Sequence, residues 1–239
     1  YRRARLTRAC RSSACMSAAL AASLFAIDPV GFGGLRLRAR AGAARELFLA
    51  DLAALLPDGK PLRRMPASIS EDRLLGGLDL GATLASGQPI AMRGLLGECD
   101  GGVIVAAMAE RLPANIIAHV SRALDTGALH VEREGLHAHV AARFALVALD
   151  EGEEDEALAP ALCDRLAFHI GEPDEEPLAE RRDIEQARKL LPRVHLEPAQ
   201  MEELVTVASA FGIGSPRACL FALRVARASA ALTGRDIVN

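Results

Sequence analysis

The residues best placed for chemistry follow a buried apolar run in the middle of the chain. The run Val-Ile-Val-Ala after Gly101-Gly102 predicts a buried parallel strand of the kind found in nucleotide-binding sheets. In an ATPase such a strand ends in Asp-Glu, which hold the magnesium ion and orient the attacking water. Here the two positions are Ala107 and Met108. The sequence therefore predicts a degenerate Walker B motif that does not support hydrolysis.

The loop before a predicted helix over 45–56 has the setting of a P-loop but not its residues. A strand over 35–40, a tight loop and a helix would place backbone N–H groups around a phosphate. Counting back from the helix end, Arg45 takes the place of the Lys, Glu46 takes that of the hydroxyl residue, and Gly42 alone remains of the glycines. A carboxylate there repels ATP, and a guanidinium lacks the compact charge of an ammonium. We therefore expect the chain's own nucleotide binding to be weak or absent.

Two further patterns are weaker candidates for binding. The glycine-rich stretch Gly31-Phe-Gly-Gly34 precedes the strand instead of following it, so we interpret it as a turn. A predicted hairpin over 131–140, joined at Glu134-Gly135, has His130, His137 and His139 near it. Two histidines on one strand face without an acidic ligand in register are poor evidence for a metal. We predict no metal site.

Composition bounds the class of protein. The chain has 239 residues, 51% hydrophobic and 25% charged, which suits one large domain and a small one. A net charge of −3 and 3% aromatic residues argue against a nucleic-acid binder. Five scattered cysteines without a C-x-x-C pair favour reduced thiols in the cytosol.

The N-terminal segment has the outline of a signal peptide. Five arginines within residues 2–11 precede an apolar run over 14–27. We favour another interpretation, in which residues 1–15 lie upstream of the true start, near Met16, or are an added segment. No stretch reaches the ~18 apolar residues of a membrane span.

Five short motifs agree in residue type and in spacing with one known family. They are Glu71-Asp72-Arg73-Leu-Leu-Gly-Gly-Leu-Asp79, Arg93-Gly94-Leu-Leu, Val131-Glu-Arg-Glu-Gly135-Leu, Ala142-Arg143-Phe144 and Leu162-Cys163-Asp164-Arg165-Leu166. With them the chain, from about Phe25 to Val238, resembles the AAA+ subunits of magnesium chelatase. The resemblance is to the D subunit and not to the ATP-hydrolysing I subunit.

The resemblance implies an α/β fold, namely an AAA+ αβα sandwich with a mainly parallel sheet, followed by a small helical lid. We expect an extension over 1–23, the AAA+ core over 24–172 and the lid over 173–239. The family also implies an inserted hairpin and helix, with the hairpin near Ile69 and its turn at Gly87-Gln-Pro89. D subunits continue beyond such a module, so we expect this chain to correspond to an N-terminal part.

In the family, two arginines act on nucleotide phosphates. Arg165, at the end of a helix predicted over 158–166, takes the place of the arginine finger, which reaches a neighbour's site in trans. A lone Arg after an Asp also fits a local salt bridge, which is worth little at a surface. Arg217, at the start of a lid helix, takes the place of the second-sensor arginine. We expect removal of the Arg165 side chain to change stability little.

The implied function is that of the D subunit, an ATPase-inactive platform. Such a complex inserts Mg²⁺ into protoporphyrin IX for (bacterio)chlorophyll synthesis, with ATP and Mg²⁺ used at the level of the complex. The implied partners are the I subunit and the porphyrin-binding H subunit in hetero-oligomeric rings, in the bacterial cytoplasm, without nucleic acid. Two alternatives stay open: an active MoxR-like ATPase acting as a chaperone, and a non-catalytic interaction scaffold.

Overall fold

The fold is organised around a five-stranded parallel sheet. The computed structural model describes residues 16–238 except 79, 89, 134–135, 154 and 174–175. Its strands are β1 (Gly34–Arg38), β2 (Leu62–Met65), β3 (Gly76–Leu78), β4 (Ala91–Arg93), β5 (Val103–Ala106), β6 (Ala128–Arg133), β7 (Leu136–Ala141), β8 (Ala145–Asp150) and β9 (Phe168–Ile170). The main sheet has the order β2-β5-β8-β1-β9 with every pair parallel, whereas β3-β4 and β6-β7 are antiparallel hairpins.

Helices cover both faces of this sheet. They are α1 (Ala18–Ile27), α2 (Ala43–Leu55), α3 (Glu71–Leu75), α4 (Leu80–Ser86), α5 (Leu95–Glu98), α6 (Ala114–Thr126), α7 (Pro160–Cys163), α8 (Arg181–Leu190), α9 (Pro198–Ala210) and α10 (Pro216–Leu232). Because successive strand residues point to opposite faces, Val103 and Val105 join the core under α1 and α2, while Ile104 and Ala106 join the core with α5 and α6. The predicted αβα sandwich is confirmed.

The lid is joined to the core through α1. Helices α8 and α10 both contact α1, which is almost wholly buried although it begins at Ala18, inside the segment that the sequence assigned to an extension. The Arg188 side chain of α8 donates from Nε and Nη2 to the carbonyl oxygen of Ala26 at 3.1 and 2.6 Å, and from Nη2 to that of Leu55. Carbonyls at helix ends lack intrahelical partners. One lid arginine thus caps two core helices.

Two predicted elements differ in the structure. The antiparallel hairpin is β3-β4, with Gly76 opposite Arg93, and not a pair beginning near Ile69. Ile69 precedes α3 instead, because the Ser70 hydroxyl accepts from the Arg73 amide and caps that helix. The helix predicted over 158–166 is shortened to α7, since Pro160 opens it and the chain leaves it after Cys163 through three-residue turns.

Other sequence predictions are confirmed or fall outside the described residues. Residues 29–32 form a turn before β1, as expected of the glycine-rich stretch. The predicted hairpin over 131–140 is β6-β7, but its turn at 134–135, Pro89 and residues 1–15 lie outside the described residues. Within the described ranges, no helix is long and apolar enough to cross a bilayer.

Candidate functional site

An open cleft of about 1020 Å³ lies at the carboxyl ends of β1 and β8. This edge of an open parallel sheet is where such folds bind ligands. The cleft is lined by six carboxylates and three guanidiniums, so its described lining carries three net negative charges. The carboxylates belong to Asp150, Glu151, Glu153, Asp155, Glu156 and Glu172, and the guanidiniums belong to Arg38, Arg40 and Arg111.

Arg45 lies in the first turn of α2, where a P-loop would present its Lys, and its side chain is already engaged. Nη1 donates to Glu151 Oε1 at 2.6 Å and to the Ala39 carbonyl at 3.4 Å, and Nη2 lies 3.4 Å from Glu46 Oε1. The residue is only 7% exposed. Its Nε has no partner among the described atoms. The charge of Arg45 is therefore compensated inside the chain.

Glu46 extends this arrangement outward. Its Oε2 accepts from Arg64 Nη2 at 3.1 Å, and hydrogen bonding by Arg64, with help from Arg45, holds the pKa of the Glu46 carboxyl below its ordinary value. Glu151, Arg45, Glu46 and Arg64 thus form a chain of four alternating charges, here called the charge chain. Arg45 and Glu46 of this charge chain are the residues that the sequence predicts at the phosphate-binding and magnesium-binding positions of a P-loop.

Gly42, which the sequence assigns to the degenerate loop, has space around it for a side chain. It precedes α2 with an extended φ of 175°, and a Cβ built on it would have no described atom within 4 Å. P-loop glycines serve to let the backbone approach phosphate. The geometry described around Gly42 shows no close approach that would require a glycine.

At the end of β5, Ala107 and Met108 present no ligand for a cation. The Ala107 amide donates to the Met65 carbonyl at 3.0 Å, and Met108 adopts a left-handed conformation with φ 46°. This turns the chain into a 3₁₀ helix over Ala109–Arg111. A methyl group and a thioether do not bind Mg²⁺, which prefers oxygen.

The structure also shows a buried carboxylate that the sequence analysis overlooked. The Glu110 side chain is 0% exposed. Its Oε2 accepts from the Glu151 amide at 3.2 Å, while Oε1 lies 3.5 Å from Arg111 Nε without a hydrogen bond. Glu110 therefore anchors the loop that presents Glu151 to Arg45. Its signal in the sequence was a single acidic residue in an otherwise apolar run.

Asp150 ends β8, and its carboxylate is paired with Arg36. The Asp150 side chain is 0% exposed; Oδ2 accepts from Arg36 Nε at 2.7 Å and Oδ1 from the Gly152 amide at 3.0 Å. This ion pair accounts for Arg36 in β1, whereas the exposed Arg38 donates from Nη2 to the Gly152 carbonyl at 3.3 Å.

These residues do not fit a bound Mg-ATP. Phosphate binding needs donors with uncompensated charge. Arg45 and Arg36 are paired, and although Arg38 and Arg40 form no ion pair with described residues, the carboxylates of the cleft lining outnumber its guanidiniums by six to three. Magnesium binding at the end of β5 needs carboxylates, which Ala107 and Met108 replace. No catalytic step through this nucleotide site can be derived from the described residues.

Arg165 does not project freely from a surface helix. Its Nε donates to Asp125 Oδ1 at 3.0 Å and to the Ser121 carbonyl at 3.2 Å, Nη1 donates to the Ala161 carbonyl at 2.7 Å, and Nη2 pairs with Asp125 Oδ2. The side chain is 19% exposed. Our expectation that its removal changes stability little is therefore wrong. Hydrogen bonds to charged groups contribute about 1.5–3 kcal/mol, so Arg165→Ala should be clearly destabilising.

Arg217 lies beside Arg165. Its Nη1 donates to Asp125 Oδ1 at 2.8 Å and its Nε lies 3.1 Å from Asp164 Oδ2. Ser215, which caps α10, donates to Asp164 Oδ1 at 3.1 Å. The structure thus brings the two predicted arginines together, on carboxylates of the core. Neither lines the cleft at the ends of β1 and β8.

The histidines of the β6-β7 hairpin form a cross-strand pair. His130 is opposite His139, with ring centroids 4.8 Å apart in an edge-to-face arrangement. In the part of the chain that the structure describes, no three His, Cys, Asp or Glu side chains cluster as metal ligands would.

Comparison with known sequences finds relatives of the chain among the subunits of one enzyme. Residues 201–239 match the model of the AAA lid domain. The chain is 39% identical over 226 residues to the magnesium-chelatase 60 kDa subunit of Rhodobacter capsulatus, an alignment that covers 92% of this chain and 37% of the relative. It is 27% identical over 280 residues to the 38 kDa subunit of the same organism, covering 92% of this chain and 79% of that relative. The chain thus spans little more than a third of its 60 kDa relative.

A solved structure supports the fold. A crystal structure of a Cytophaga hutchinsonii protein described as an ATPase superposes with a TM-score of 0.63 at 18% identity, covering 89% of this chain and 75% of the other. At that identity the likeness concerns the fold alone. Over 92% of its length the chain is similar to the magnesium-chelatase 60 kDa subunit, and it is more similar to that subunit than to the 38 kDa subunit of the same bacterium.

Proposed function

We propose that this chain is the AAA+ module of a magnesium-chelatase D subunit, a ring platform that does not hydrolyse ATP itself. In this role it assembles with the I subunit, which supplies ATP hydrolysis, and with the porphyrin-binding H subunit. The complex inserts Mg²⁺, its substrate, into protoporphyrin IX for (bacterio)chlorophyll synthesis. Free thiols at Cys99, Cys163 and Cys219 suit the bacterial cytoplasm as the site of action.

The charge chain is the observation that carries this proposal. An active P-loop leaves a Lys free for phosphate, whereas Arg45 is buried and bound to Glu151 and Glu46. The absence of carboxylates at Ala107 and Met108 removes the magnesium site independently. Two separate parts of the nucleotide site have therefore lost their function, which favours a platform over an active MoxR-like ATPase.

Nucleotide binding by the purified chain tests the inactive site. We expect no saturable binding of a fluorescent ATP analogue with Mg²⁺ up to millimolar concentration, and no phosphate release. Tight binding with turnover would instead identify an active ATPase and overturn the proposal.

Reconstitution tests the platform role. Mixing the chain with an I subunit should give a larger assembly on size-exclusion chromatography and should change the ATPase rate of the I subunit. Within that mixture we propose that Arg165 contributes to the neighbour's site as a finger in trans, and Arg217 as a second sensor. The control is the chain carrying Arg182→Ala, because Arg182 is 78% exposed and contacts only Asp183 among the described residues, at 3.8 Å. If the mixture shows neither assembly nor a change in rate, the results would favour a scaffold of another complex over the platform role.

A further inference from the structure

A single carboxylate binds both arginines that the family assigns to phosphates. Asp125 forms a two-point pair with Arg165, through Oδ1 to Nε at 3.0 Å and through Oδ2 to Nη2. The same Oδ1 also accepts from Arg217 Nη1, in the first turn of the lid helix α10, at 2.8 Å. The core, the predicted finger and the lid therefore meet on Asp125.

The position of Asp125 in its helix makes this contact informative. It is the next-to-last residue of α6, where the helix dipole disfavours a negative charge, and no basic residue lies in the last turn. Burial raises the pKa of Asp125, but the hydrogen bonds from Arg165 and Arg217 outweigh it and hold that pKa below its ordinary value. The two arginines thus keep an unfavourably placed carboxylate ionised.

The pair occupies the side of Arg165 that would bind a phosphate. A guanidinium recognises phosphate through two parallel N–H donors. In Arg165 the two donors, Nε and Nη2, are bound to Asp125. Nη1 is held by the Ala161 carbonyl as well. With Asp164 beside Arg217, two carboxylates balance two guanidiniums, so the cluster has no net charge to offer an anion.

We propose that Asp125 is a masking residue that withholds Arg165 from a neighbouring subunit's phosphate until Arg165 exchanges partners. This inference rests on the proposed function, in which Arg165 acts in trans. Arg217 makes the exchange feasible, because it is already bound to Oδ1 and keeps Asp125 compensated when Arg165 leaves. The lid therefore supplies the counter-ion on which release of the finger depends.

Chemical labelling tests the mask without reference to any activity. The full chain and its Asp125→Asn variant are treated with phenylglyoxal, which modifies accessible arginines, and modification is quantified peptide by peptide. The matched control is Asp164→Asn, because Asp164 binds Arg217 and Ser215 but not Arg165. We expect the rate of labelling of Arg165 to rise several-fold in Asp125→Asn. In Asp164→Asn it should stay near the rate measured for the chain without substitutions.

Three results would overturn the mask. They are unchanged labelling of Arg165 in Asp125→Asn, an equal rise in both variants, and a parallel rise at Arg224. Arg224, an exposed residue, holds α10 to the Gly31 carbonyl, so a rise in its labelling above the level of the unsubstituted chain would mean that this contact has opened and that the lid as a whole has come away.

Reconstitution with an I subunit then tests the functional side. Release of the finger predicts that Asp125→Asn raises the ATPase kcat of the mixture with little change in KM for ATP, and that adding Arg165→Ala abolishes the gain. A lower kcat with Asp125→Asn would show that Asp125 supports Arg165 instead of masking it. If Arg165→Ala alone has no effect in the mixture, the proposed trans role of Arg165 fails, while the labelling result still decides whether Asp125 masks Arg165.

Discussion

A double-mutant cycle on Arg45 and Glu151 would measure the interaction that closes the nucleotide site. Arg45→Met replaces the guanidinium by an apolar side chain of similar length, and Glu151→Ala removes its partner. The paired atoms lie 2.6 Å apart, with side-chain exposures of 8% and 26%. Two charges about 4 Å apart interact by roughly 4 kcal/mol at an effective dielectric constant of 20, and the cost of desolvating both reduces the net value.

We therefore expect a coupling free energy of about 1.5–3 kcal/mol, in the range of hydrogen bonds to charged groups. Glu151→Ala alone should be the costlier change, because it leaves a buried guanidinium without its main partner. The double variant should be more stable than the sum of the single effects predicts. Urea unfolding followed by circular dichroism measures the unfolding free energy of each variant, provided that the m-value is the same for all of them.

The control cycle uses Arg73 and Glu98, an ion pair of 3.2 Å at the surface of the same domain. Exposed pairs contribute about 0.2–1 kcal/mol, so the two cycles should differ clearly. A coupling for Arg45 and Glu151 no larger than the control value would refute the reasoning that the charge chain holds the site closed.

Three further predictions concern packing and protonation. Arg188→Ala should destabilise the chain by about 3 kcal/mol, since it removes charged hydrogen bonds from two helix ends, whereas Arg182→Ala should cost less than about 0.5 kcal/mol; urea midpoints compare the two. Burial raises the pKa of the Cys99 thiol to about 11, so at pH 8 a thiol reagent should modify Cys99 only after unfolding, and rapid native modification would contradict its burial. The difference in unfolding free energy between the chain and Asp125→Asn should be constant from pH 8 to 5 and should shrink below about pH 4. The pKa of Asp125 is lower in the folded than in the unfolded chain, so its ionised form stabilises the fold above the unfolded-state pKa, and this stabilisation is lost as Asp125 is protonated. A difference that already fades above pH 5 would refute this.

The sequence was sufficient to predict the lid helices and the three central strands β5, β8 and β1, but not the edge strands: it favours a loop where β2 lies and gives no strand signal at β9. Strands such as β5 and β8 are continuous apolar runs, and α10 has a capping Ser followed by Pro at its start. Such local signals determine the elements whatever lies around them. The absence of a carboxylate at Ala107 and Met108 is visible without coordinates, whereas its consequence for hydrolysis stays a prediction.

Partners distant in sequence could not be predicted. Arg165 and Asp125 are 40 residues apart, and Arg217 reaches the same carboxylate across 92 residues. An arginine pattern gives no sign of which acid compensates it, so the sequence predicts Arg165 as a finger at the end of a surface helix and not as the partner of Asp125. For the same reason Glu110, which positions Glu151 through a backbone amide, went unnoticed.

The charge chain also bears on how such a subunit evolves. Restoring Lys at position 45 alone would deprive Glu151 of its guanidinium, and restoring a hydroxyl at position 46 alone would leave Arg64 without its carboxylate. Each single reversion therefore passes through a less stable intermediate, and none restores the ligand lost at Ala107. Under the function proposed above, these pairings would preserve an inactive nucleotide site, because selection for stability acts against each single reversion, and such a subunit would depend on a neighbour that hydrolyses ATP.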